Sequence, residues 1–410
     1  MRTDAQLVGS LDMGTTKVSA MLGERRGDSV RIIGIGTTAA DGLKQGVVVD
    51  IDKASRSVTR AVADAEKMAG TSVATYNVGV AGEHIRSMNS RGVVGIPNPD
   101  NEIGGEDVER SLTAARNFEL PQDREILHML PQQYIIDNQG GIREPSGMYG
   151  SRLEARTHVV TASRAALDNI EKAIEMSNLE IGNLVLEPLA SSCSLLTEDE
   201  KEIGVALIDI GGGTTDVMIY SDVGVIASGV IGIGGNNITS DIAYGLRTAM
   251  RAAEVIKIKH GCALSSLVSS QTSIEVPDIG FGGSRRVGTH FLAGIIEPRV
   301  TELFTLINDQ MIDQEYKQSI GAGVVLTGGS CMLLGTRELA EQVFDLPVRI
   351  GTPLAVEGLT EVVNHPMYAT GVGLLLFDGA AEKRSPGRLS ARHWWTQSVS
   401  QLRKAIASFI

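Results

Sequence analysis

Two segments that lie far apart in the chain share one design, and this duplication limits the possible folds more than any other feature. Residues 7–18 and 205–217 each contain an apolar strand that ends near an Asp, a turn rich in Gly and Thr, and a second strand. A repeated unit of this kind predicts a chain built from two related halves. At 410 residues the chain is long enough for two or three domains.

The two turns have the chemistry of a phosphate-binding site. Glycine lets the backbone approach a ligand closely, and successive free N–H groups form a concave nest for phosphate oxygens. Asp12 and Asp209 precede the turns and suit Mg²⁺ held through water, because Mg²⁺ prefers one or two carboxylates together with phosphate. The predicted phosphate ligands are Gly14, Thr15, Thr16, Lys17, Gly211, Gly212, Gly213, Thr214 and Thr215.

A single Gly-rich turn is more often an ordinary hairpin, but a matched pair favours two turns that grip one triphosphate. Both hairpins resemble those of the superfamily that includes actin, sugar kinases and heat-shock chaperones. Residues 186–190 and 368–374 resemble its two interdomain connectors, the second with small residues where two helices cross. Residues 324–330 resemble its adenosine motif, a buried strand that ends in Gly328-Gly329.

This resemblance implies an α/β fold of the actin-like (ribonuclease H-like) two-domain ATPase type, with ATP and Mg²⁺ as cofactors. Further nucleotide contacts implied by it are Gly234, Gly235, Asn236, Gly328, Gly329 and Met332. Between the second hairpin and the adenosine motif, apolar residues at helical spacing predict a helix. There Glu254 and Lys257 lie one turn apart. They form either a solvated ion pair or, as the superfamily implies, contacts to ribose and adenine.

Residues 83–160 separate this chain from most of the superfamily. They contain a charged stretch, 106–118, that we expect to be helical, and the run Pro-Ser-Gly-Met-Tyr-Gly-Ser-Arg-Leu-Glu at 145–154. These segments closely resemble the inserted 1C subdomain of the FtsA family of bacterial cell division adaptors, and the resemblance covers essentially the whole chain. It implies subdomains 1A (1–82 and 161–202), 1C (83–160), 2A (203–236 and 321–380) and 2B (237–320).

The end of the chain differs in charge from the rest. The whole chain has a net charge of −12, yet from Lys383 to Ile410 there are six Lys or Arg residues and no Asp or Glu. Residues 381–392 contain Pro and Gly and predict a flexible linker, and residues 393–410 predict an amphipathic helix. Its apolar stripe consists of Trp395, Val399, Leu402, Ile406, Phe409 and Ile410. The other predicted membrane contacts are Trp394 on the flank of the stripe, Arg403 at its edge and Lys404 on the opposite face.

A basic helix with a narrow apolar face fits an interfacial anchor on anionic lipid, although the same stripe could pack on the protein's own surface. FtsA proteins carry such a membrane-targeting helix. The three cysteines lie in apolar segments without metal spacing, which predicts buried thiols in a reducing compartment. No signal peptide and no uncharged run of the roughly 18–20 residues needed to span a bilayer is evident. We therefore expect a cytoplasmic protein with peripheral membrane contact.

The resemblance to the FtsA family implies a scaffold rather than an enzyme. Such a protein polymerises, binds the FtsZ C-terminal tail through 2B and recruits later divisome proteins through 1C. It thereby holds the Z ring to the inner face of the cytoplasmic membrane at the septum. The net charge of −12 argues against nucleic-acid binding. Within 2B the candidate FtsZ contacts are Arg285, Arg286, Arg299 and Asn308.

Two rival interpretations use the same core. A phosphotransferase or ATPase would need a catalytic carboxylate in the cleft, and Glu187 could orient an attacking water, so slow hydrolysis is compatible with the sequence. A pilus-assembly adaptor of the PilM type shares the actin core and an insertion similar to 1C, but it would lack the amphipathic tail.

Overall fold

The computed structural model describes residues 5–27, 29–98, 100–279 and 282–378. The predicted linker and tail helix, 381–392 and 393–410, lie outside the described residues. The strands are β1 Gln6–Met13, β2 Lys17–Arg26, β3 Ser29–Ala39, β4 Leu43–Lys44, β5 Val47–Val48, β6 Thr75–Val80, β7 Arg86–Gly95, β8 Arg124–Ile136, β9 Gln139–Ile142, β10 Arg152–Ser163, β11 Glu180–Leu186, β12 Val205–Ile210, β13 Thr215–Ser221, β14 Gly224–Ile231, β15 Ser273–Pro277, β16 Ser284–Gly288, β17 Val324–Thr327, β18 Val348–Ile350 and β19 Val356–Gly358.

The helices cover the sheets and connect the strands. They are α1 Ile51–Ala69, α2 Gly105–Ala115, α3 Arg164–Glu175, α4 Glu187–Leu195, α5 Glu198–Ile203, α6 Gly235–Gly245, α7 Met250–His260, α8 Thr289–Asp313, α9 Thr336–Phe344, α10 Thr360–Val363 and α11 Ala369–Leu376. Short 3-10 helices occur at Ser265–Leu267, Tyr316–Ser319, Gly329–Met332 and Pro366–Tyr368.

These elements form two compact units, the first made of residues 5–88, 120–127 and 160–377. Its two large sheets repeat one topology. In the first, β1 pairs antiparallel with β2 and β2 with β3, while β1 pairs parallel with β6 and β6 with β11. In the second, β12, β13 and β14 form the antiparallel part and β12, β17 and β18 the parallel part. The duplication seen in the hairpins therefore extends to whole sheets.

The central strands are long apolar runs because helices cover both of their faces. Every residue of β12 and every residue of β13 is buried. Helix α1 packs so closely on β3 that a Cβ on Gly36 would lie 1.9 Å from the carbonyl oxygen of Ala61. Asp50 caps the start of this helix by accepting from the N–H of Lys53, and Gly70 ends it in the left-handed conformation.

Helices α4 and α11 cross at small residues, as the two connector-like segments predicted. A Cβ on Gly373 would lie 1.8 Å from the carbonyl oxygen of Ala190. Across the same crossing, the hydroxyls of Ser191 and Thr370 lie 3.0 Å apart. Close approach of the two backbones therefore depends on the absence of a side chain at Gly373.

The second unit comprises residues 89–119 and 128–159. Its four-stranded sheet has the order β7-β10-β8-β9, and α2 supplies apolar side chains to a core of its own. That core consists of Ile96, Ile103, Val108, Leu112, Tyr134, Ile136, Ile142, Leu153 and Ala155. The helix that the sequence predicted at 106–118 is present as α2 and ends at Ala115.

One prediction about the cysteines is wrong. Cys262 and Cys331 are buried, but Cys193 is exposed. Cys193 lies on α4, a helix most of whose residues are buried, and it occupies a position on the remaining open face. An apolar neighbourhood in sequence therefore did not guarantee burial. No helix within the described ranges is both long and apolar enough to cross a membrane.

We expect Gly373→Val to destabilise the protein by several kcal/mol, because the new side chain would overlap backbone atoms of α4 that cannot move away independently. Urea unfolding followed by circular dichroism measures the change. Gly371→Ala is the matched control, since its Cβ would approach the flexible end of Met21 at 2.7 Å rather than backbone. Equal stability of the two variants would contradict the close helix crossing.

Candidate functional site

The two Gly- and Thr-rich turns lie against each other in the first unit. A Cβ on Gly212 would lie 2.4 Å from Cγ2 of Thr16, and a Cβ on Gly213 would lie 2.6 Å from Oγ1 of Thr15. Positions 212 and 213 of the second turn must therefore be glycine for the first turn to approach so closely. Between and beside the turns is a cavity of about 270 Å³.

Five carboxyl groups line this cavity, and four of them have raised pKa values. Asp12, Glu187, Asp209 and Asp216 all line it together with Lys17. Burial raises the pKa of Asp12 above its ordinary value, although Lys17 opposes the shift. Burial also raises the pKa of Asp209 to about 6, with the charge of Asp12 adding to it. The pKa of Glu187 is raised well above its usual range by burial and by the charges of the three aspartates.

Asp209 is held by one hydroxyl from each of the crossing helices. Ser191 on α4 donates to Oδ2 at 3.1 Å, and Thr370 on α11 donates to the same oxygen at 3.3 Å. Asp216 accepts from Thr214 at Oδ2, at 3.3 Å. Its Oδ1 is buried and has no hydrogen-bond partner within the described part of the chain. The cavity thus contains a carboxylate oxygen that is aimed at no protein donor.

Lys17 is tethered beside these carboxylates. Its ammonium donates to the carbonyl oxygen of Met367 at 2.6 Å and lies 4.5 Å from the centre of the Tyr368 ring. Burial lowers the pKa of Lys17, while Asp12, Asp209 and Glu187 act to raise it. The residues at 366–368 lead directly into α11, so Lys17 connects the first turn to the helix crossing.

A second cavity of about 310 Å³ adjoins the first, and Lys257, Ile258, Gly329 and Ser330 line both. Lys257 pairs with Glu254 at 2.8 Å, which confirms that the two residues meet on one face of α7. Lys257 also donates to the carbonyl oxygen of Gly235 at 2.9 Å. Its wall includes the apolar side chains of Ile238, Met332, Leu333 and Leu334, together with Lys259 and His260.

The structure brings together most of the residues that the sequence predicted as nucleotide ligands. Those that line the first cavity are Asp12, Gly14, Thr15, Thr16, Lys17, Asp209, Gly211, Gly212, Thr214, Gly235, Asn236, Glu254, Lys257, Gly328 and Gly329. Glu187, the candidate for orienting a water, also lines it. Met332 lines the second cavity. Gly213, Thr215 and Gly234 stand outside both linings. Thr215 is fully buried in β13 and its hydroxyl donates to the carbonyl oxygen of Ile233 at 2.7 Å.

Sequence reasoning missed several residues that line the first cavity. Asp216 follows the second turn directly, so an acidic residue at the start of β13 was a signal that could have been used. Gly46 and Ala81 come from distant parts of the chain, and no local pattern marks them. Thr370 was recognised as part of a connector, but its reach to Asp209 depends on how the helices cross.

The four predicted partner-binding residues have different surroundings. Arg299 donates to both carboxylate oxygens of Asp241, at 2.6 and 3.1 Å. Arg285 bonds the carboxylate of Asp278 and the carbonyl of Leu246, and Asn308 accepts from Lys317 at 3.4 Å. Arg286 is exposed on β16, and it is therefore the cation of the set that is most open to a partner.

The opposed turns and clustered carboxylates can hold an anionic chain together with a cation. Glycine N–H groups and Thr hydroxyls supply donors to phosphate, and the carboxylates attract a hydrated divalent ion. Among the described residues, no three His, Cys, Asp or Glu side chains form a group that could bind a metal directly.

Comparison with known proteins places these features in context. Residues 206–373 match the family model for cell division protein FtsA, and residues 82–161 match the model for the SHS2 domain inserted in FtsA. The chain is 47% identical to the cell division protein FtsA of Pseudomonas aeruginosa over 383 residues, which cover 93% of this chain and 91% of that protein.

Solved structures share the fold at low sequence identity. The structure of a PilM–PilN type IV pilus biogenesis complex matches with a TM-score of 0.66 at 15% identity and covers 94% of this chain and 100% of that chain. MreB5 of Spiroplasma citri, bound to ADP, matches with a TM-score of 0.57 at 14% identity, again over 94% of this chain and 100% of that chain. The predicted α/β, actin-like fold with an inserted domain is therefore confirmed.

We expect Asp216→Asn to stabilise the ligand-free protein at high pH. Burial, and secondarily the charge of Asp209, raises the pKa of Asp216 to about 8. The pKa of an Asp in an unfolded chain is about 3.9. Between these values the folded protein holds a proton that the unfolded chain releases, so stability falls as pH rises. The variant has no such loss and should gain about 1 kcal/mol or more at pH 8, and less at pH 5.

Urea unfolding at the two pH values, without nucleotide and with a chelator present, measures this gain. Asp199→Asn on exposed α5 is the control and should show no such dependence on pH. A variant at position 216 that is less stable than the parent at pH 8 would mean that the carboxylate is paired in solution.

Proposed function

The chain belongs to the FtsA family of cell division proteins, and on that premise we propose that it is an ATP-binding, actin-like adaptor. It polymerises and anchors FtsZ filaments to the inner face of the cytoplasmic membrane. The observation that carries the nucleotide part of this proposal is the cavity between two opposed Gly- and Thr-rich turns. An actin-like relative in fold, MreB5, is described as bound to ADP, which supports a nucleotide as the ligand.

The orientation of the nucleotide follows from the two adjoining cavities. The cavity at the turns offers N–H and hydroxyl donors for the phosphates. The second cavity offers the apolar side chains of Ile238, Met332 and Leu333, on which a nucleoside could pack. Lys257 lines both cavities and is paired with Glu254, which lines the first, so the two side chains would contact the sugar. Thr215 does not take part, because its hydroxyl is already bonded within the protein.

The residues present fit Mg²⁺. Four carboxyl groups with raised pKa values share the cavity, and Oδ1 of Asp216 lacks a partner within the described residues. A divalent cation would compensate this negative charge and neutralise phosphate oxygens. Asp12 and Asp209 would hold it through water, an arrangement that needs no direct three-residue metal site.

The buried position of Glu187 favours a scaffold over an efficient enzyme. This carboxyl group lines the cavity, where burial and the charges of three aspartates raise its pKa well above its usual range. The shift favours the protonated form, which is a poor base. A cation would lower its pKa, which allows slow hydrolysis of ATP when the cavity is filled. Nothing named in the relatives points to transfer of phosphate to a sugar.

The FtsZ tail would dock within 237–320, the predicted 2B subdomain, and later division proteins would bind 83–160, the predicted 1C subdomain. The subdomain boundaries stay predictions. Arg286 is the favoured contact, because it is exposed while Arg285 and Arg299 are occupied by Asp278 and Asp241. An exposed cation raises the rate of encounter with an acidic partner.

Membrane attachment would come from residues 393–410, which lie outside the described residues. The sequence places six cations and no acidic residue between Lys383 and Ile410, a composition attracted to anionic lipid. One such helix binds reversibly, but a polymer that carries many of them gains avidity without new contacts. Nucleotide-dependent polymerisation would therefore control attachment.

We expect the intact protein with Mg-ATP to carry FtsZ polymers into the pellet with anionic liposomes. Trp395→Glu should abolish this sedimentation, because it places a charge in the apolar stripe. Gln397→Glu is the matched control, since it adds the same charge on the opposite face of the predicted helix. Co-sedimentation of FtsZ, this protein and vesicles measures the effect.

Three results separate the parts of the proposal. Loss of FtsZ from the pellet with both variants would show that net charge matters and the stripe does not. Vesicle binding without FtsZ would leave the membrane anchor and reject the adaptor role. Absence of both would reject the adaptor and favour a catalytic function in the cavity.

A further inference from the structure

A tight hairpin that the proposed function does not use reaches the cavity from the side. Strands β4 and β5 pair antiparallel, with Leu43 opposite Val48 and Lys44 opposite Val47. Gln45 and Gly46 form the two-residue loop and both have positive φ, 48° and 73°. That conformation suits Asn or Gly, and a residue with a Cβ such as Gln adopts it only with backbone strain. Backbone strain of this kind is often kept where function needs it.

The tip of this hairpin touches the first phosphate-binding turn. The N–H of Gly46 donates to the hydroxyl oxygen of Thr15 at 3.0 Å. A Thr hydroxyl can accept one hydrogen bond and still donate its own proton. The contact with Gly46 therefore orients Thr15 as a donor towards the cavity, which Thr15 and Gly46 both line.

The same tip also touches the other half of the unit. The side-chain amide of Gln45 donates to the carbonyl oxygen of Gly232 at 3.4 Å, just after β14. Nearby, Ser87 donates to the carbonyl of Ser228 at 2.6 Å, and a Cβ on Gly232 would lie 1.9 Å from a carboxylate oxygen of Glu83. The hairpin thus lies at a seam where the two halves meet.

The position of the hairpin tip favours a ligand with a longer phosphate chain. Gly46 and Ala81 line the cavity that holds the carboxylates, and neither lines the second cavity, which is proposed for the nucleoside. A phosphate chain that extends from a nucleoside in the second cavity reaches the Thr15 hydroxyl more easily with three phosphates than with two. A terminal phosphate would accept from Thr15, and a continuous path of contacts would then run through Gly46 and Gln45 to Gly232.

We propose that the Gln45–Gly46 turn positions Thr15 to recognise the terminal phosphate of a nucleoside triphosphate, and that Gln45 makes closure of the two halves depend on that phosphate. The inference rests on the nucleotide binding proposed above. Gly46 and Gln45 are positioning residues that act through Thr15. A diphosphate leaves the Thr15 proton without this acceptor, so the halves are held together less firmly.

The test compares the affinities of the full chain for Mg-AMPPNP and Mg-ADP by calorimetry. We expect the wild type to prefer the triphosphate analogue, and Thr15→Val to reduce that preference about tenfold, the size expected for one hydrogen bond to a charged group. Affinity for ADP should change little. Thr15→Ser keeps the hydroxyl and should keep the preference. Gln45→Ala should reduce the preference less, and Lys44→Ala, in the same hairpin, should not.

Hydrogen exchange gives a second readout. If the Gln45–Gly46 turn had a purely structural role, protection from exchange would be the same with either nucleotide. Residues 43–48 and 228–233 should be more protected with AMPPNP than with ADP in the wild type, and equally protected in Thr15→Val. If both nucleotides bind but every variant keeps the wild-type preference, the inference is wrong and the proposed function stands. If the wild type binds neither nucleotide, the proposed function and this inference both fail.

Discussion

Burial of several carboxylates around one point is the constraint on which the rest of the structure depends. Asp12 and Asp209 end equivalent strands of the two sheets, and a buried ionised carboxylate is costly unless it is paired or hydrogen-bonded. Ser191 and Thr370 reduce that cost at Asp209. They can do so only because the backbones of α4 and α11 approach closely where the helices cross, and the absence of a side chain at Gly373 permits this approach. The helix crossing, the turns and the charge cluster are thus one arrangement.

That arrangement explains how a ligand in the cavity would change contacts elsewhere in the protein. Lys17 is bonded to Met367, at the entrance to α11, and Asp209 is bonded to both crossing helices. A phosphate or a cation that draws on either side chain changes a contact of the helices that connect the two halves. For the proposed scaffold role, this coupling would be more useful than fast chemistry, because filling the cavity would set the conformation proposed to polymerise.

Much of this could be predicted from the sequence because the signals are local. The hairpins, the apolar central strands and the Glu254–Lys257 pair each depend on residues that are neighbours in the chain or one helical turn apart. Contacts of Gly46 and Ala81 with the cavity depend on the packing of distant segments and left no local signal. Thr215 shows a different limit: successive residues of a strand point to opposite faces, so Thr214 and Thr215 could not both face the cavity. The exposure of Cys193 likewise depends on which part of a mostly buried helix remains open.

The proposed site for a nucleotide together with Mg²⁺ at the carboxylate cluster can be tested by calorimetric titration of the full chain with ATP, once with Mg²⁺ and once with a chelator. Mg²⁺ should strengthen ATP binding by at least about tenfold, since without the cation the phosphates would face buried carboxylates. Equal ATP affinity in the two titrations, or no binding in either, would show that the cluster is not such a site.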